Sequence, residues 1–433
     1  MRRSRRGVVL PVGWPVPIFL RPRSTRLMSY GTTEAPRAAT EELHVGMRLF
    51  TPDTATSPHE VYAQLRSECP VLRGDGWDGK PQVIVSRYED VIWSLKHPEH
   101  FSSAPEAVNI GQEQKLIPLQ VDPPEHAPYR RLLDPEFAPK RMKPLEPEVR
   151  ALVNQLIDRF IDRGECDVHE ELATPLPSGV FLALMGLPQS DLPMFLQWRD
   201  DTIRPDVAPG DMEAAAAVRE RVGHELSEYF ERMVEEKRKN PEDTLLTRIA
   251  HGEVDGRPLT REETLGICHL LLLGGLDTVT ATLDCALAYL AQHPDRRQAI
   301  VDNPALAPVA VEELLRHQTP VMMVLRVVKE DCELAGQELK QGDGMMVILG
   351  SANSDDSEFD AASECDFTRE ANRHLAFGAG PHRCLGSNLA RMELVIALEE
   401  WHRRIPDYRI KEGTELLYSP GIRQTAELPL VWT

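Results

Sequence analysis

The stretch F-G-A-G-P-H-R-C-L-G, Phe377 to Gly386, sets one cysteine, Cys384, between a glycine-rich turn and a helical pattern running from Ser387 to Arg404. Gly378, Gly380 and Gly386 let the backbone take positive φ or pass close to a bulky body, since no Cβ stands in the way. The free N–H groups at the start of the following helix point back at the sulfur, and that positive end favours a thiolate. Such a thiolate suits a flat metal cofactor. Taken alone, Cys384 reads equally as an ordinary buried cysteine in a glycine turn.

Working outward, about a hundred residues upstream lies L-L-L-L-G-G-L-D-T, within an apolar helical run from Leu265 to about Gln292. Thr260 and Glu263 form a capping box at its start. His269, Gly274, Gly275 and Asp277 interrupt the run, so it reads as a buried central helix and not a membrane span. Two adjacent glycines cost about 1 kcal/mol each inside a helix, which points to close approach or a deliberate distortion. Asp277 and Thr278 would be expensive there without partners. Between this run and Cys384 come Glu313 and Arg316, three apart on one helical face, and then a strand pattern, Pro320 to Arg326. His126 and Arg130, four apart, share a helix face nearer the N-terminus.

Together and in this order these motifs resemble the cytochrome P-450 family, whose haem-binding loop F-G-x-G-x-H-x-C-x-G is matched at every fixed position. The resemblance covers roughly Leu43 to Thr433 and looks closest to the soluble bacterial, camphor-hydroxylase-like branch, through L-L-G-G-L-D-T-V, E-E-W-H-R-R-I-P-D and the closing L-P-L-V-W. It implies a mainly α, single-domain fold with a minor β region, and haem b between the long central helix and the cysteine-loop helix. It implies that Cys384 is the axial iron ligand, that Phe377 shields the proximal face, and that thiolate push favours O–O cleavage. By the same carry-over His126, Arg130, Arg326 and His382 meet the haem propionates, with Gly274, Gly275, Gly378 and Gly386 against the haem. Gly274 to Thr278 matches [AG]-G-x-[DE]-T, where the helix opens, Thr278 hydrogen-bonds bound O2 and Asp277 relays protons. Glu313, Arg316 and Arg369 form a structural triad. Here the family's usual F-D-x-x-R is C-D-F-T-R, with Cys365 in place of the phenylalanine.

The 433 residues contain no linker-like tract, and 42% hydrophobic content supports a large core. A formal charge of −19 argues against nucleic-acid binding and for a soluble protein. Seven scattered cysteines without a C-x-x-C pair suit a reducing, cytoplasmic setting with one special thiol. Residues 1–40 read as an extension before a catalytic domain at 41–433. Its Arg-rich first 26 residues read as an over-extended start, with translation from Met28, or as an export or transit peptide. Elsewhere Ser57-Pro-His-Glu60 reads as a capping box opening a helix to about Ser67. Gln82 to Ser86 reads as a strand, Tyr88 to Lys96 as a helix, and Phe101 to Pro124 as a long functional loop. Two helices flanking Pro205 to Gly210 form, by resemblance, the lid over the substrate entrance.

The expected activity is insertion of one oxygen atom from O2 into an apolar organic substrate by a monomeric enzyme. Electrons come from a separate acidic ferredoxin and its reductase, docking on a basic face of Arg130, Arg131, Lys140, Arg141 and Arg383. A peroxide-driven peroxygenase and a non-catalytic haem sensor are the rivals. The first lacks the acid–threonine pair in its own branch, and the second needs an effector domain. Leu270 and Leu273 on the central helix, Met322 and Val324 on the strand, and Ile422 near the chain end are expected to line an apolar pocket. A terpenoid-like substrate is favoured, then steroids and branched fatty acids. Arg423 reads as solvent-facing; inside the pocket it would favour a substrate carboxylate or carbonyl.

Overall fold

A broken central helix carries the architecture. The computed structural model describes residues 45–76, 80–107, 114–203, 205–208 and 211–433. The N-terminal extension and the centres of the two loops near residues 110 and 210 lie outside them. Helices used below are α1 (His59–Glu68), α2 (Tyr88–Lys96), α3 (His126–Leu133), α4 (Glu146–Asp158), α5 (Pro175–Met185), α6 (Leu192–Ile203), α7 (Met212–Lys239), α8 (Arg261–Leu276), α9 (Thr278–Gln292), α10 (Ala307–Gln318) and α11 (Ser387–Arg404). The expected single helix from Leu265 to Gln292 is thus two, α8 and α9, divided at Asp277 (φ −99°, ψ −32°).

Thr260 begins α8 with both arms of its capping box formed. The expected box at Ser57 is absent: α1 starts at His59 without a side-chain cap. Ser57 instead ends the preceding helix Pro52–Thr56, donating its backbone N–H to Asp53, and Pro58, which has no side-chain acceptor, stands at the N-cap of α1. The run Arg261–Gln292 is long and apolar enough to cross a membrane. Its residues are nevertheless core: Leu272, Leu276, Ala281, Leu283 and Leu290 are fully buried between α5, α11 and the helices of the lid.

Five short strands make a sheet beside this bundle. They are β1 (Val71–Asp75), β2 (Pro81–Val85), β3 (Phe101–Ser102), β4 (Val324–Val328) and β5 (Gly344–Val347), in the order β1-β2-β5-β4-β3. β5 runs parallel to β2 and the other pairs are antiparallel. β4 carries Arg326 toward the site. A separate three-stranded sheet joins Glu165–Asp167 to the C-terminal Arg409–Ile410 and Pro429–Val431.

The segment from Asn353 to Leu375, irregular throughout, is pinned by one buried ion-pair cluster. Glu313 and Arg316 on α10 have no exposed side-chain surface and pair at 2.7 and 2.9 Å. Arg316 also donates to the carbonyls of Asn353, Ala362 and Glu364 at 2.6–2.8 Å. Arg369 approaches Glu313 at 3.2 Å, and Asp366 N–H and Asn372 Nδ2 donate to the same carboxylate. Cys365 sits inside this turn, 2% exposed, with Phe367 at 5% filling the adjoining core. Removing one partner of such a cluster strands the remaining buried charges and costs about 3–5 kcal/mol. Glu313→Ala should lower the urea midpoint of the purified protein accordingly, with or without cofactor; an unchanged midpoint would remove the cluster from the folding account.

Candidate functional site

Cys384 closes the loop that precedes α11. Its N–H donates to Phe377 O at 2.9 Å and Gly378 N–H to Leu375 O at 2.8 Å, so the loop folds on its own backbone. Gly378 (φ +65°) and Gly380 (φ +68°) hold the two left-handed turns. A Cβ on Gly380 would lie 2.3 Å from Leu95 O, the end of α2, so this glycine serves close backbone packing. A Cβ on Gly378, Gly386 or Gly274 would meet no protein atom within 4 Å. Each of these three has open space on the side where a Cβ would stand.

Cys384 as a residue is exposed. Burial nonetheless raises the thiol pKa, against the Gly386 N–H and the positive charges of Arg130, Arg383 and Arg391, which lower it. An exposed residue whose thiol is desolvated faces a recess in the surface. The helix start therefore does not by itself hold a thiolate, as the sequence led one to expect; desolvation outweighs it, and a coordinated metal ion would deprotonate the thiol outright.

Phe377 is held from behind by a network that sequence reasoning missed. The guanidinium of Arg391, seven residues after Cys384, stacks 4.4 Å over the Phe377 ring. Glu312 grips Arg391 at 2.6 and 2.8 Å and takes His374 Nε2 at 3.0 Å. The only sequence sign was that Glu312 adjoins Glu313.

Four polar side chains converge beside the loop. His126 and His382 have ring centroids 4.4 Å apart, and each has a buried Nε2 without a partner. Burial, then Arg130, lowers His126 to about 4; burial, then Arg326 and His126, lowers His382 to about 3. Arg326 is 6% exposed, donates to Leu325 O at 2.7 Å, and is lowered to about 10 by burial. Arg130 bonds Asp134 and donates to Arg383 O at 2.8 Å. Buried donors without partners, and no carboxylate on Arg326 among the described residues, match a ligand that brings its own anionic groups. An exposed cysteine, bare glycine faces and orphaned donors together fit an iron porphyrin with two carboxylates.

Across the cleft the break at Asp277 frees backbone carbonyls, and threonines take them up. Thr278 Oγ1 donates to Gly274 O at 2.9 Å, and Thr280 Oγ1 to Leu276 O at 2.9 Å. Asp277 is 1% exposed.

The expected pocket residues divide. Leu270, Leu273, Val324 and Ile422 are half-buried. The Val321–Ile422 bridge sets the chain end against the strand that carries Val324. Met322 is corrected: it is fully buried among Leu49, Phe50, Ile84 and Met346 and offers no surface to a cleft. Arg423 is corrected too. It is 6% exposed, donating to the carbonyls of Ala55, Gln318 and Thr56 and to Gln318 Oε1, so it neither faces solvent nor is free for a substrate. The basic island is largely paired: Arg131 with Asp255, Arg141 with Glu136 and Asp243.

The glycines separate folding from cofactor seating. Gly380→Ala combines a strained φ with a backbone clash and should lower the melting temperature of the protein. Gly386→Ala (φ −83°) should fold with wild-type stability but load less haem, read as the Soret-to-280 nm absorbance ratio. The reverse pattern would mean that the open face of Gly386 is not where the cofactor lies.

Comparison with known proteins agrees with this geometry. The family model for Cytochrome P450 matches residues 40–303 and 305–401. A steroid C26-monooxygenase of Mycobacterium tuberculosis is 35% identical over 366 residues, 82% of this chain and 88% of its own. The 20-oxo-5-O-mycaminosyltylactone 23-monooxygenase of Streptomyces fradiae is 33% identical over 387 residues, 87% of this chain and 90% of its own. Among solved structures, CYP109E1 from Bacillus megaterium in complex with testosterone superposes with a TM-score of 0.80 at 30% identity, covering 88% of this chain and 99% of that one. With the ligand loop, the broken helix and the matched length in agreement, the chain belongs to the cytochrome P450 family.

Proposed function

We propose that the substrate is a neutral, hydrocarbon-rich molecule of the terpenoid type, steroids included. Family membership makes the chain a monooxygenase that uses haem b and O2. When bound, the haem activates O2 and transfers one oxygen atom to the substrate. Cys384 would hold the iron, while His126, Arg130, Arg326 and His382 would bind the propionates and orient the ring. Thr278 and Asp277, at the helix break, would position O2 and pass protons to it, which argues against the peroxide-driven reading.

The observation that carries the substrate class is the commitment of Arg423 to backbone carbonyls. With that cation withdrawn, Leu270, Leu273, Val324 and Ile422 offer apolar surface only, and binding is by burial at about 25 cal/mol per Å2. A long-chain acid would find no cation among these residues. The relatives named for a steroid and a macrolide reaction, and the neighbour bound to testosterone, support a large, mostly apolar guest. Electrons would come from separate partners, a ferredoxin and its reductase. Arg131, Lys140 and Arg383 remain the exposed cations of the basic island for docking it.

Two measurements test this reading. The carbon-monoxide complex of the reduced protein should show the strongly red-shifted Soret band of thiolate ligation, and Cys384→Ser should lose it; retention would displace Cys384 from the iron. In spectral titrations, small terpenoids and steroids should displace the water ligand from the ferric iron, with Leu273→Ala weakening them by about 2 kcal/mol or less. Response to long-chain acids alone would sink the substrate class.

A further inference from the structure

Past the break at Asp277, α9 carries Thr280 and Asp284 at successive steps of three and four, so all three share one helical face. That face packs on a single wide turn, His169–Ala173, closed by Thr174 N–H donating to His169 O at 3.0 Å. The contacts run in register along the seam. His169 Nδ1 meets Asp284 Oδ2 at 2.8 Å, and Thr280 Oγ1 also donates to Ala173 O at 2.8 Å. Asp277, Thr280 and Asp284 are 0–1% exposed and Thr174 is 5%. Yet Asp284 Oδ1 and Thr174 Oγ1 have no protein partner. Buried polar atoms of this kind are satisfied by internal water. At the far end the His169 side chain keeps 9% exposure, so the seam reaches the solvent edge.

A buried ion pair that served only to hold α9 would be replaceable by apolar side chains at little cost. It would not explain a second carboxylate oxygen left open, or a π-type turn, which recurs at functional sites. We propose that His169 and Asp284 form a proton path to Asp277, with internal water joining Asp284 Oδ1, Thr174 Oγ1 and the Asp277 carboxylate, while Thr280 pins α9 to the turn through Ala173 O. The path rests on Asp277 acting as the proton donor of the site. Its members touch neither substrate nor cofactor and act through Asp277.

Each transfer moves one proton and no electron. A solvent proton enters at His169 Nε2 while the Nδ1 proton passes to Asp284 Oδ2. Asp284 releases one from Oδ1 to water, and Asp277, having given its own away, takes one up. The electrons come from the separate reductant. The pair is matched for this exchange. Burial pulls the His169 imidazole down, but the hydrogen bond and charge of Asp284, with Glu170 and Asp167, outweigh it and hold it above its ordinary value. Burial, with Asp167 and Asp277 adding to it, raises the Asp284 carboxyl against His169. The two therefore titrate as one unit.

His169→Gln and Asp284→Asn keep the shape of the contact and remove the transferable proton. In the resting ferric protein, infrared difference spectra between H2O and D2O should show an exchangeable carboxylic-acid band that Asp284→Asn removes and His169→Gln shifts. In turnover with saturating reductant, both variants should release several-fold more peroxide per NADH and show a larger solvent deuterium isotope effect. Neither should add to the defect of Asp277→Asn, because residues on one path are not additive. Wild-type coupling in both variants, or full additivity with Asp277→Asn, would overturn the path. So would uncoupling that follows a fall in melting temperature. An Asp277→Asn variant that stays coupled would sink the proton-donor reading itself, a separate failure. If Asp284→Asn does not fold, His169→Gln at the solvent edge carries the test alone.

Discussion

Burying Arg326, His126 and His382 with no carboxylate hydrogen-bonded to their side chains among the described residues, and only the field of Asp122, joined by Asp134 at His126, to favour their charge, is the constraint on which this structure turns. Arg326, His126 and His382 are desolvated together, and Arg326 and His126 disfavour the charge of His382. In a low-dielectric surround each orphaned donor costs more than a hydrogen bond is worth. The site is therefore built at the expense of stability, and an anionic cofactor returns what was lost. Stability and cofactor binding are one equilibrium here, since a ligand that binds only the folded chain stabilises it by mass action.

The rest of the fold keeps that arrangement in place. The Glu313 cluster fixes an irregular segment that no regular element could hold, and that segment delivers Leu375 and Phe377 to the loop. The neighbouring Glu312 locks Arg391 and, through it, the ring of Phe377. Two adjacent glutamates on α10 thus support the cysteine from opposite directions. On the other side, the central helix gives up a peptide's worth of regularity at Asp277, and threonine hydroxyls cap the freed carbonyls.

What was legible in the sequence was what chemistry fixes locally. Cys384 and its glycines, Asp277 with Thr278, and Glu313 with Arg316 each need set neighbours a few residues away, and the chain shows them. Arg369 was legible despite Cys365, because the cysteine and Phe367 fill the core together. What failed depended on distant chain. Met322 was placed by strand alternation, but it precedes the strand proper and the N-terminal helices close over it. Arg423 was placed at the surface because nothing nearby in sequence foretold that Ala55, Thr56 and Gln318 would present their carbonyls to it. Ser57 lost its capping role because the next helix starts one residue later than expected, with Pro58 at its N-cap.

A hydroxyl has one proton to give and two lone pairs to offer. In this structure Thr278 has given its proton to Gly274. So long as that bond holds, the residue can meet a visitor in the cleft only as an acceptor. It would then steady a guest that is itself a donor and turn away one that is not. The same hydroxyl, rotated away from Gly274, reverses that preference and leaves the helix with a bare carbonyl at its break. Whether the site welcomes a donor or an acceptor is thus set by a single torsion, that of the hydroxyl about the Thr278 Cβ–Oγ1 bond.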